Sequence, residues 1–325
     1  MENNRYWKGK RVLVTGASGF KATYLVDELV KREAEVYCLV LEIEKNCNFL
    51  RLGLDKKTSI IYGTVLDQNL ISTTLEKYNI DTVFHLAAQP LVQVALKIPY
   101  ETINTNVIGT LNILEACRNN KNIKRIVIAS SDKAYGSNKN LPYDETSPLH
   151  GEYPYDVSKS CADLIAQSYG KTYNMPIGIY RSSNIYGGGD LNFDRIIPGT
   201  IKNLLFNEPI LIRSDGQFIR EFLYVKDSVN AYLTLARRIE ELGLKGDDFN
   251  FGTDKPIKII ELVNMIKRVS GMDSEIKILN TVKAEIKDQY LSSKKAREEL
   301  SWSNDYELEE GLKETFKWYK EYFGK

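Results

Sequence analysis

The sequence predicts an α/β fold: a doubly wound parallel sheet with a smaller, mixed C-terminal lobe. Three observations carry that expectation. Strand-length apolar segments alternate with amphipathic helical patterns from residue 11 onward. Strands joined by helical crossovers run parallel, with helices on both faces. The first strand runs into a glycine-rich turn, and a later one ends in Ser130-Ser131 and is followed by Tyr155-Asp156-Val157-Ser158-Lys159.

Residues 11–15 (Arg-Val-Leu-Val-Thr) read as the first buried strand, and 22–31 as an amphipathic helix. Further strands are expected at 35–41, 59–62, 82–86 and 126–130, and long helices at 100–118 and 155–173. Right-handed crossovers then wind the chain onto both faces. The run Tyr186-Gly187-Gly188-Gly189-Asp190 breaks the pattern and marks the passage into a second lobe. From about residue 257 the chain is helix-rich and ends in an aromatic, charged helix over 308–323. At 325 residues the chain exceeds what one compact core usually holds.

Composition narrows the class. With 43% hydrophobic and 27% charged residues and a net charge of +1, nothing points to nucleic acid or an anionic membrane. The apolar runs are too short for a membrane span, and residues 1–7 lack the apolar core of a signal peptide, so a cytoplasmic protein is expected. Cys38, Cys47, Cys117 and Cys161 have no C-x-x-C spacing and read as reduced structural thiols. His85 ends a strand and reads as a packed histidine. His150 has no recognisable partner, and no metal is expected.

The turn Gly16-Ala17-Ser18-Gly19-Phe20-Lys21-Ala22 follows a strand and opens a helix, the context of a dinucleotide fingerprint. Gly16 permits the turn, Gly19 admits the pyrophosphate to the backbone, and Ala22 lets helix and strand pack closely. The helix N-terminus favours the anion. Glu42, 20 residues after Ala22, can accept from the ribose hydroxyls and would repel a 2′-phosphate, which favours NAD over NADP. Glu44 is a rival. Asp67 is expected to reach the adenine amino group, and Leu86-Ala87-Ala88-Gln89 to line the nicotinamide side.

Tyr155 and Lys159 lie one helical turn apart on one face. An ammonium beside a phenol lowers the phenol's pKa, and a phenolate can take a proton from a sugar hydroxyl while hydride leaves the same carbon. Asp132-Lys133 alone would read as a solvated ion pair. Directly after Ser131, at the carboxyl edge of the sheet, it reads as part of a site.

These motifs resemble the extended short-chain dehydrogenase/reductases, a Rossmann-fold family, and within them the nucleotide-sugar epimerase and dehydratase group. Gly19-Phe20-Lys21, Ala87-Ala88-Gln89-Pro90-Leu91-Val92, Ser131-Asp132-Lys133 and Gly187-Gly188-Gly189-Asp190 with Asp194-Arg195-Ile196-Ile197-Pro198 are most similar to CDP-glucose 4,6-dehydratases. The resemblance implies an NAD-binding domain over 1–185 with about 222–255, and a nucleotide-sugar lobe over about 186–221 and 256–325. It implies that Tyr155 deprotonates the 4-hydroxyl, Lys159 holds the nicotinamide ribose, Ser131 bonds the 4-oxygen, Asp132 protonates the departing 6-hydroxyl, and Lys133 takes the C5 proton. Lys133 must be neutral for that role, a state that neighbouring Lys159 and the positive nicotinamide would favour. Asn184, Arg195 and Arg220 are the implied diphosphate contacts. Guanidinium forks suit phosphate.

Three positions depart from the family: Gln93 and Ala95 replace an arginine and a serine, and Phe222 replaces a tryptophan. They leave the base and the sugar open: GDP-, UDP- or dTDP-hexoses, or a heptose, stand beside CDP-glucose. A 4-epimerase shares the Tyr-x-x-x-Lys chemistry but has no use for Asp132 or Lys133. A silent NAD-binding module would be expected to have lost Ser131, Tyr155 or Lys159. The helices at 100–118 and 155–173 resemble the pair that builds a homodimeric four-helix bundle in this group.

Overall fold

The computed structural model describes residues 5–281 and 286–325. Residues 1–4, part of the stretch read above for a leader, lie outside them. In chain order the strands are β1 (Arg11–Thr15), β2 (Glu35–Val40), β3 (Ser59–Tyr62), β4 (Thr82–His85), β5 (Arg125–Ala129), β6 (Ile177–Ser182), β7 (Asn184–Tyr186), β8 (Ile210–Ile212), β9 (Ile219–Arg220), β10 (Phe222–Tyr224), β11 (Asp247–Phe251), β12 (Ile257–Lys258), β13 (Ile276–Ile278) and β14 (Asp288–Gln289). Seven of them form one parallel sheet in the order β11-β6-β5-β4-β1-β2-β3. The order reverses between β1 and β4. In a sheet of this kind ligands sit at the carboxyl ends of the strands flanking that point.

The central strands of the sheet, β1, β4, β5 and β6, are buried on both faces. In β1, Val12 and Val14 join one apolar cluster and Leu13 the other, because side chains alternate along a strand. The first cluster is closed by the helices Phe20–Lys31 and Val225–Leu242, the second by Gln68–Lys77, Gly109–Arg118 and Pro154–Tyr173. A third cluster fills the C-terminal lobe, where Ile196–Leu205, Ile259–Ser270 and Leu308–Phe323 pack around small sheets. In one of these, β9 is flanked by β12 and β14.

One helix differs from its sequence reading. The segment expected to be a single helix over 100–118 comprises Pro99–Ile103, a π-helical turn Asn104–Ile108, and Gly109–Arg118. The wide turn carries Asn106, whose amide is taken by tertiary partners. Such turns recur at functional sites. Among the described residues no helix is long and apolar enough to cross a membrane.

Candidate active site

At the carboxyl end of β1, Gly16 has φ +67°, and a Cβ there would lie 2.8 Å from the Ala87 Cα. The strand-to-helix turn therefore packs directly on the turn after β4, and only glycine fits. Gly19 is the residue before the helix, and its N–H donates to the Gly16 carbonyl at 3.0 Å. Phe20 begins the helix, edge-on to Tyr24. The Ser18 hydroxyl donates to the Glu42 carbonyl (2.9 Å), which ties the turn to the end of β2 and leaves the Glu42 side chain exposed beside it. Leu86 is half-buried against the first cluster, Ala87 N–H donates to Thr15 Oγ1, and Ala88 follows, half-buried. Gln89 turns its side chain to Thr102 and Leu91. Asp67 has a job that its sequence position did not announce: it caps the helix Gln68–Lys77, accepting from Leu70 N–H at 2.9 Å.

Lys21 points back under the sheet end, over the rings of Tyr180 and Tyr232, and donates to the Tyr232 hydroxyl at 3.2 Å. Burial, then Lys159, then Arg195 lower its pKa to about 7. Three cations thus face one region. That field and the glycine-lined cradle at the helix N-terminus fit a dinucleotide diphosphate.

The second half of the site grows from β5. Ser131 caps a 3-10 turn, Asp132–Tyr135, and its hydroxyl donates to Asp132 Oδ1 at 3.0 Å. Asp132 is buried, and its Oδ2 has no hydrogen-bond partner in the protein. Burial raises the Asp132 pKa against the opposing pull of Lys133, Ser131 and Arg220. Tyr155 and Lys159 stand on the first turns of Pro154–Tyr173, and Ser131 acts to lower the Tyr155 pKa. Asn106, from the π turn, holds the Gln89 backbone on one side and the Ser158 hydroxyl on the other.

The electrostatics at Tyr155 run against the sequence expectation: its pKa is raised, not lowered. Burial and the Asp132 charge push the Tyr155 pKa up, with Arg195 and Ser131 opposing. The Lys159 ammonium donates to the Ala129 carbonyl at 2.9 Å, and burial lowers its own pKa to about 8. Lys133 donates to Gln289 Oε1 at 3.1 Å, and both Asp132 and Asp156 feel its charge. Asp156 is buried, with its pKa raised to about 6 by desolvation.

Of the expected diphosphate contacts, Asn184 bonds the Glu221 carbonyl, and Arg195 pairs with Asp190 at 2.8 Å while staying partly exposed. Arg220 is buried, and its fork donates to the carbonyls of Ile219, Lys287 and Ile286. These contacts turn it inward, behind Asp132. Sequence reading passed over Asn106, Asp156 and Gln289. An Asn-Thr-Asn run inside an apolar helical pattern was the one available signal for Asn106. His85 is satisfied in the core, between Thr15 Oγ1 (2.8 Å) and Thr110 Oγ1 (3.1 Å), with its pKa lowered to about 3 by burial and Lys159.

Residues 13–315 match the family described as GDP-mannose 4,6 dehydratase. The chain belongs to this family. CDP-glucose 4,6-dehydratase from Salmonella typhimurium is 32% identical, across 98% of this chain and 93% of the relative. Human dTDP-D-glucose 4,6-dehydratase is 30% identical, across 97% and 91%. The chain spans about half the length, 48%, of two trifunctional Arabidopsis thaliana relatives whose names begin with UDP-glucose 4,6-dehydratase. Among solved structures, dTDP-glucose 4,6-dehydratase from Streptomyces venezuelae, with NAD bound, aligns at TM-score 0.88 and 26% identity over 97% of this chain and 98% of that one. An epimerase from Methanothermobacter thermautotrophicus aligns at 0.90 and 25%, over 100% and 96%. The 4,6-dehydratases of this family are NAD-dependent hydro-lyases of the extended short-chain dehydrogenase/reductase type.

Proposed function

We propose that this chain is an NAD-dependent nucleotide-sugar 4,6-dehydratase that converts an NDP-hexose, CDP-glucose as the best reading, to the 4-keto-6-deoxy sugar. The observation that carries the reading is the Asp132-Lys133 pair set beside Ser131, Tyr155 and Lys159. Asp132 is a carboxyl held toward its protonated form by burial, with one oxygen unpartnered. An acid poised to protonate a leaving hydroxyl needs that state.

Gly16, Ser18, Gly19, Phe20 and Lys21 would hold the NAD diphosphate, Glu42 the adenosine ribose, and Lys159 the nicotinamide ribose. Leu86, Ala87, Ala88 and Gln89 would line the nicotinamide side, with Asp67 beside the adenine. When bound, NAD supplies an acceptor for the C4 hydride and returns it to C6. Tyr155, poised by Ser131 and Arg195, takes the 4-hydroxyl proton. Lys133 removes the C5 proton, which the new ketone has acidified, and Asp132 protonates the 6-hydroxyl as it leaves. Arg195 and Asn184 meet the substrate diphosphate, whereas Arg220 serves as counter-charge behind Asp132. The division into an NAD-binding domain (1–185 with about 222–255) and a sugar-nucleotide lobe (about 186–221 and 256–325) belongs to the same proposal, as does homodimerisation.

The likeness to solved epimerases supports one alternative, a nucleotide-sugar 4-epimerase. Turnover of CDP-, dTDP-, UDP- and GDP-glucose deuterated at C4 separates the two. Loss of water with deuterium arriving at C6 is expected, and the preferred base then names the substrate. A product of unchanged mass with inverted C4 overturns the dehydratase. Tyr155→Phe should lose turnover and keep NAD. Retained activity would remove Tyr155 as the base.

A further inference from the structure

Gln289 lies on β14, far along the chain from the motifs above, yet it reaches the reacting pair. It is fully buried. Its Oε1 accepts from Lys133 Nζ at 3.1 Å, and its Nε2 has no hydrogen-bond partner in the protein. While Lys133 is an ammonium the amide cannot be turned over, because that group carries donors only and must face the oxygen. The NH2 group is thereby committed to pointing elsewhere. Beyond Lys133, Asp132 Oδ2 is a second buried polar atom without a partner. Leaving buried polar groups unpaired is costly, so a site that keeps two of them around one lysine is built for a ligand that satisfies both. A sugar hydroxyl does.

We propose, resting on the 4,6-dehydratase reading, that Gln289 is a positioning residue for the elimination: its carbonyl oxygen fixes the Lys133 amine and its NH2 group donates to a hydroxyl oxygen of the hexose. The C5 proton passes to the Lys133 amine, and the electron pair it leaves forms the C5–C6 double bond. The 6-hydroxyl departs as water with the Asp132 proton. A carbonyl acceptor suits a base that must cycle. It takes an N–H of Lys133 in either protonation state and leaves the nitrogen lone pair directed at C5. A carboxylate in the same place would hold the lysine charged.

Two variants test this, with NADH absorbance and pH profiles as readouts. In Gln289→Glu, C4 oxidation proceeds, elimination slows on the order of 10²-fold, NADH accumulates, and the acid limb of the elimination rate moves to higher pH. The groups facing Lys133 that could blur this limb are Asp132 on its own turn and Asp156 and Tyr155 on Pro154–Tyr173, with Arg220 behind Asp132. All are unchanged in the variant. In Gln289→Met, NADH also accumulates, but the acid limb does not move upward. Should the Glu variant fail to fold, the Met variant still decides. Oxidation and elimination falling together would mean a merely structural role and overturn the proposal. Elimination at the wild-type rate in either folded variant would do the same. A wild-type enzyme that inverts C4 without losing water would instead overturn the dehydratase reading, whatever Gln289 does.

Discussion

Single residues in this site are set by burial more than by their charged neighbours. His85 illustrates the rule outside the chemistry. Its two ring nitrogens are matched to Thr15 and Thr110, and it sits with Lys159 nearby. Its folded pKa, about 3, lies below the ordinary 6.5, so as pH falls the unfolded chain takes the proton first. Stability from this group is intact above about pH 6.5 and erodes progressively toward about pH 3. At about pH 4.5 the loss is about 3 kcal/mol. His85→Gln should flatten the acid limb of a denaturant-midpoint-versus-pH curve, and the wild-type ring should show no NMR protonation shift down to about pH 4. A ring titrating near its ordinary value would contradict this assignment.

At the scale of elements, the catalytic turn is held from behind. Arg181, on β6, grips Asp163 of the helix Pro154–Tyr173 with two bonds of 2.8 Å, donates to the Tyr135 hydroxyl at 2.8 Å, and reaches Asp248 on β11. Tyr135 ends the 3-10 turn and donates on to Asn250. Four elements therefore share one guanidinium, and Arg181 and Asp163 are both buried. Arg181→Met strands the Asp163 carboxylate and should cost about 3–5 kcal/mol, read as a shifted denaturant midpoint with unchanged slope. Adding Asp163→Leu should recover much of that loss, because removing both charges also removes the cost of burying one alone. The same elements show what was legible in the chain. β1, β3 and the helix Leu308–Phe323 sit where local periodicity puts them, because a short apolar strand or an amphipathic helix is specified by its own residues. The π turn at Asn106 is specified by Gln89 and Ser158, which no local pattern contains. Ser131, Asp132, Lys133, Tyr155 and Lys159 were legible because they cluster on two adjacent segments. Gln289 and the inward turn of Arg220 were not. Their partners lie 156 positions away and 66 to 67 positions away, and pairing at that range is decided by the assembled lobes.

Among the exposed apolar side chains of the whole molecule, six lie on or between neighbouring helical segments. Leu96, Ile98, Tyr100 and Ile108 lie along 92–108, and Leu164 and Tyr173 lie on Pro154–Tyr173; all are exposed, Tyr100 at 78% and Leu164 at 51%. Single exposed apolar residues need no explanation, but several on neighbouring helical segments fit the proposed contact between two copies. Two copies presenting the same pair of helices would close a four-helix layer by two-fold symmetry, without open ends. Sedimentation should therefore show a dimer at working concentration, and Tyr100→Glu with Leu164→Glu should shift it toward monomer by burying charge at the contact. Pro154–Tyr173 also carries Tyr155 and Lys159 on its first turns, so dissociation loosens the helix that positions the base. Turnover of the double variant should then fall as the enzyme is diluted and return as it is concentrated. Wild-type protein that sediments as a monomer, or a monomeric variant with wild-type turnover at every dilution, would separate the site from the assembly and leave these side chains unexplained.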